Sequence, residues 1–104
     1  MANSRAGEVT VTIDGTPHTA KLTLGALAEL EETLKAGSLV ELVERFETGA
    51  PRAADIYAVL VAGLRGGGWQ GSARDLVAAR IEDGPVEAAR VAARLLAAAF
   101  GGAG

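Results

Sequence analysis

The sequence predicts an α+β fold in which an N-terminal β-hairpin packs on a bundle of four to five short α-helices, all within a single domain spanning residues 1–104. Three observations carry this prediction. Apolar residues alternate with threonines early in the chain, the pattern of a half-buried strand. An Asp-Gly pair follows at once and marks a two-residue turn. Beyond residue 23 the apolar spacing switches to that of helices, and glycines and prolines interrupt it at short intervals.

The elements follow in order. Val9, Val11 and Ile13 alternate with Thr10 and Thr12, and Asp14–Gly15 reverses the chain because both positions tolerate positive φ. The return strand places His18, Ala20 and Leu22 on one side, so that Val11 faces His18 and Val9 faces Ala20. Pro17 lacks an N–H and makes this an edge strand. The hairpin, at about residues 8–23, is marginal alone and needs helices under its apolar side. Helices are expected over about 24–100. Thr23 caps the first, whose stripe is Leu24, Leu27, Ala28, Leu30 and Leu34, with a Glu31–Lys35 pair and a stop at Gly37. Ser38 and Glu41 form a capping box for the second, with Leu39, Leu42, Val43 and Phe46 inward and Gly49 at its end. The third runs over about residues 53–64, with Ile56, Val59, Leu60 and Leu64 inward. Ser72 and Asp75 cap the fourth, ahead of Leu76, Val77, Arg80 and Ile81. Gly84–Pro85 opens the last, where Val86, Ala89, Ala93, Leu96 and Phe100 recur at the 3-4 spacing of a heptad stripe.

Composition narrows the function. About half the chain is apolar, yet it holds only 1 Trp, 1 Tyr and 2 Phe, so the core is built from aliphatic side chains. The absence of cysteine removes disulfides, thiolate metal sites and a Cys nucleophile. Residues 1–50 carry eight acidic and four basic residues, against five and six in 51–104. Neither half has the basic density that phosphate neutralisation requires, which excludes nucleic acid as an expected partner. No apolar run follows Met1, and the longest apolar stretch, near 91–100, is short and contains Arg94. The expectation is a soluble, cytoplasmic protein without a membrane partner.

Residues for chemistry are scarce. His18 is the only histidine and lies in a strand with no partner motif, so it reads as a packed or surface residue. Zinc needs more ligands than this. Glu29, Glu31 and Glu32 share one helix and Glu41, Glu44 and Glu47 the next, and both groups read as solvated faces. Gly66–Gly67–Gly68 lacks the Lys-Ser/Thr pair of a phosphate loop, because Trp69 and Gln70 follow, and is read as a hinge. No enzyme, cofactor or metal is expected. Trp69 follows the glycine run outside any periodic stripe. It is either a lid over the small-residue core or an exposed anchor for a partner, since Trp is enriched at interface hot spots. The alanine-rich last helix is either core or a helix that shares a groove with a partner.

Several stretches resemble a known family: Arg5, Gly7–Glu8–Val9, Ile13–Asp14–Gly15, the run Leu22-Thr-Leu-Gly-Ala-Leu-Ala-Glu-Leu-Glu31, Arg45–Phe46, and Ala62-Gly-Leu-Arg-Gly-Gly-Gly68. They are similar to short proteins of gene transfer agents and related phages, regarded as tail assembly chaperones and sometimes labelled tail tube proteins. The likeness covers about the first two thirds of the chain, and no motif beyond Trp69 contributes.

The resemblance implies a non-enzymatic tail assembly chaperone that coats the tape-measure protein, or another tail protein, until tube subunits polymerise around it. A structural tail component retained in the particle and an unrelated protein-binding adaptor are the alternatives, and a homo-oligomer is compatible with any of them. The partner surface expected from the residues comprises Leu60, Leu64 and Trp69, beside the hinge Gly66, Gly67 and Gly68.

Overall fold

The alternating segment forms strand β1 (Val9–Ile13) and returns as β2 (Thr16–Ala20). Asp14 and Gly15 take positive φ of 50° and 82°, the geometry their turn requires. The antiparallel register pairs Val9 with Ala20 and Val11 with His18, as the alternation predicts. Val11, Ile13 and Ala20 are buried on the inner face. The computed structural model describes residues 7–34, 39–79 and 84–101.

Among the described residues five helices follow: α1 (Leu24–Leu34), α2 (Leu39–Glu47), α3 (Ala53–Gly66), α4 (Ala73–Ala78) and α5 (Gly84–Leu96), the last continuing as a π-helical turn, Ala97–Gly101. The architecture is thus the expected α+β arrangement of a hairpin on helices. Thr23 caps α1 by accepting from the Ala26 N–H at 3.1 Å. Ser72 and Asp75 form the expected reciprocal box ahead of α4. The stop at Gly37, the Glu31–Lys35 pair, the Ser38–Glu41 box, Arg80 and Ile81 lie outside the described residues.

Helix α3 is the centre of the fold, packed against α1, α4, α5 and β2. Its Val59, Leu60 and Leu64 have no exposed surface, and they join Leu30, Leu42, Leu76 and Leu95 in one buried aliphatic cluster with the hairpin. Two expected stripes are corrected. In α1 Ala26 and Leu30 are buried and the expected Leu27 and Leu34 pack half-buried against the core, while Leu24 is 84% exposed and Ala28 is exposed. The face turns because the small Ala26 sits against Gly66, where a bulkier side chain has no room. In α4 only Leu76 is buried, and Val77 is exposed.

The glycine run, expected to be a hinge, is hydrogen-bonded and closely packed in this conformation. Gly66 ends α3, and the Gly67 N–H donates to the Gly63 and Leu64 carbonyls at 3.0 and 3.1 Å. The Gly68 N–H reaches Arg65 O at 3.0 Å and the Trp69 N–H reaches Leu64 O at 2.9 Å. A Cβ on Gly66 would run into the Lys21 carbonyl, and one on Gly67 into the Thr19 carbonyl. Two of the three glycines therefore let the end of α3 press on the outer edge of β2, where the Lys21 N–H also donates to Gly63 O at 2.8 Å. Only Gly68, with φ of 108° and open space around its Cα, keeps a conformational role.

Candidate protein-binding surface

Helices α2 and α3 are joined by a charge cluster that the periodicity does not reveal. Asp55, in the first turn of α3, is 2% exposed. Arg45 of α2 meets it as a fork, Nε to Oδ2 at 2.8 Å and Nη2 to Oδ1 at 2.9 Å. The Arg52 backbone N–H adds a bond to Oδ2 at 2.8 Å, and its guanidinium lies 3.5 Å from Oδ1. Burial opposes the charged carboxylate, but the Arg45 fork outweighs it and holds the Asp55 pKa at about 2. The same contact raises the pKa of Arg45. These charges satisfy one another, so the cluster fixes α2 against α3 and leaves no group poised for chemistry.

With α2 held there, a groove opens between it and α5. Val43, Phe46 and Glu47 form one wall, and Ala93, Leu96, Ala97 and Phe100 the other, around about 370 Å³. Phe100 is 48% exposed at its rim. This wall corrects the expected orientation of α5. Of the heptad stripe, only Leu96 is buried; Val86 is 69% exposed, Ala93 is exposed, and Ala89 is half-buried. The core instead takes Ala88, Val91, Ala92 and Leu95. The physical reason is the shape of α3. Gly63 leaves a recess that the Leu95 side chain fills so closely that a Cβ there would stand 2.7 Å from Leu95 Cδ1. An alanine stripe would leave that recess empty. Helix α5 thus has two apolar faces, one packed and one open. Glu87, Arg90 and Arg94 lie beyond the open face and pair among themselves at 3.4 Å.

The residues singled out from sequence fall in different places. Leu60 and Leu64 have no solvent exposure, so this conformation does not present them to a partner. Leu60 stands at the floor of a second groove of about 350 Å³ between α3 and α5, walled by Ile56, Tyr57, Pro85 and Ala88. Trp69 is half-buried, packed on the core cluster, with its indole over Gly71. It therefore covers part of the core while leaving an edge in solvent. The structure does not bring Trp69 to the α2–α5 groove. Phe46 and Phe100, the groove's aromatic residues, were read only as inward residues. The signal for an open face was available as the second stripe, 88-91-92-95, which competes with the heptad for the core.

His18 is half-buried, and Glu29, Glu31, Glu32, Glu41, Glu44 and Glu47 are exposed. Glu29 pairs with Arg65 at 3.2 Å. Among the described residues, no group of three or more His, Asp or Glu could hold a metal ion. No helix among them is long and apolar enough to cross a membrane.

Comparison with known proteins adds identity at the level of family. No curated protein and no solved structure matches the chain. A family profile described as "Phage tail tube protein, GTA-gp10" matches residues 6–102. The match takes in α4 and α5, beyond the reach of the motifs read from the sequence. The chain therefore belongs to this family of tail proteins from phages and gene transfer agents.

Proposed function

We propose that the chain is a non-enzymatic tail assembly chaperone that holds an apolar helix of the tape-measure protein in the α2–α5 groove during tail assembly. The observation that carries this reading is the open second face of α5. Residues at 3-4 spacing match the seam by which one helix receives another. The small Ala89, Ala93 and Ala97 admit a close helix, and Phe46 and Phe100 supply aromatic anchors of the kind that dominate interfaces. A tape-measure protein, long and helical, presents many such segments before the tube encloses it. The exposed edge of Trp69 serves in this reading as a separate contact on the far side of the core.

The test is co-expression with the tape-measure protein encoded nearby, scored by how much of it stays soluble and co-purifies. A chaperone raises the soluble fraction and is absent from finished particles. A second reading, a tail component retained in the particle, is favoured by the family's description as tail tube protein. Its signature is the chain itself in purified particles at a fixed ratio to other tail proteins. No gain in tape-measure solubility together with that signature would transfer the proposal to the second reading.

A further inference from the structure

The two edges of the hairpin differ in a way that neither the groove nor the family explains. In a hairpin with a two-residue turn, the residues flanking the turn exchange both backbone hydrogen bonds. Ile13 and Thr16 are that pair, so Val11 with His18 and Val9 with Ala20 also face inward to the ladder. The backbone groups of Thr10 and Thr12 must then point away from β2, and those of Pro17 and Thr19 away from β1.

The β2 edge is closed. Pro17 has no N–H to offer there, the Thr19 carbonyl lies against Gly67, and the Lys21 N–H is bonded to Gly63. Nothing among the described residues protects the β1 edge in this way. Among the described residues, no backbone hydrogen bond outside the hairpin reaches Thr10 or Thr12. Residues 9–13 read VTVTI, without the charge, proline or bulge that blunts an edge against pairing.

We propose that β1 pairs with β1 of a second copy of this chain, antiparallel about a two-fold axis at Val11, giving a four-stranded sheet across the dimer. The register is dictated by the outward groups. Thr10 of one copy meets Thr12 of the other as a hydrogen-bonded pair, twice, and Val11 faces its own mate as a non-bonded pair. This is the self-complementary arrangement that a two-fold interface demands. Residues 9–13 carry no charge, so no like charges oppose each other within the paired strands, and the acidic Glu8 and Asp14 meet only at their ends. The threonines stack as cross-strand pairs on the outer face, while Val9, Val11 and Ile13 extend the apolar inner face. A five-residue edge is small for an interface, so the dimer is weak and concentration-dependent.

The register makes the test specific. Thr10→Lys with Thr12→Lys places two like-charged pairs across the axis, and Thr10→Lys with Thr12→Glu places two opposite-charged pairs there. Sedimentation equilibrium of the full chain should show a monomer–dimer equilibrium for the wild type. The Lys/Lys variant should weaken it by about tenfold or more, and the Lys/Glu variant should restore it. Circular dichroism of both variants checks that the hairpin survives. In the wild type, exchange of the Thr10 and Thr12 amides should slow as concentration rises, a readout that needs no variant. A wild type that stays monomeric, a dimer indifferent to Lys/Lys, or one that Lys/Glu fails to restore would each overturn the pairing. Tape-measure solubilisation by the Lys/Lys variant reports on the groove separately.

Discussion

The two faces of α5 have nearly the same apolar character and opposite fates. The inner face, Ala88, Val91, Ala92 and Leu95, is buried against α3 and β1, while Val86, Ala93 and Phe100 on the other stay exposed. Leu96 sits on the boundary and serves both. What decides the choice is the shape of the receiving surface. A recess at Gly63 rewards a Leu side chain, and burial follows the better fit, not the more regular spacing. A regular stripe left over after the core is satisfied is then available for another helix.

The contrast is broken most severely from the inside. Leu95→Ala removes the side chain that fills the Gly63 recess and should cost about 4 kcal/mol, read by denaturant unfolding. The wall opposite the open face depends on Asp55. Asp55→Asn leaves the Arg45 guanidinium without its counter-charge and should cost about 3 kcal/mol. The same carboxylate predicts a pH dependence. Its folded pKa of about 2 lies below the unfolded value of 3.8, so its contribution is complete above the unfolded value. It fades as pH falls from about 5 to about 2, a loss of about 2 kcal/mol that Asp55→Asn should abolish in an acid titration of stability.

Smaller changes sharpen the picture. Gly66→Ala drives a methyl into the rigid Lys21 carbonyl and should cost about 2 kcal/mol. Gly63→Ala meets the end of the Leu95 side chain, which has freedom to shift, and should cost less. Equal losses at the two positions would show that the Leu95 contact is as unyielding as backbone. Phe100→Ala, on the open face, should change stability by less than about 0.5 kcal/mol and yet reduce capture of tape measure.

Much of the fold was legible because local chemistry specifies it. Asp14–Gly15 fixes the hairpin and its register, and Thr23 and Ser72 with Asp75 mark helix starts through bonds to backbone a few residues away. The orientation of α1 and α5 was not legible, since it depends on where glycines of α3 leave space. Gly66 and Gly67 read as a hinge because sequence shows the freedom of glycine but not the carbonyls pressed against it. Asp55 was hidden for a similar reason. Its partner Arg45 lies ten residues earlier on a different helix, and the helical spacing of neither segment pairs the two. The candidate surface was half legible: the 3-4 stripe was seen, but its outward direction was not.

The most direct test of the α5 account is co-expression of tape measure with the double variant Val86→Asp and Phe100→Asp, beside the wild type. Both substitutions lie on the open face, so unfolding of the purified variant should match that of the wild type. The account predicts that soluble tape measure falls to the level seen without the chain. If the folded variant keeps tape measure soluble as well as the wild type does, the open face of α5 is not where the client binds.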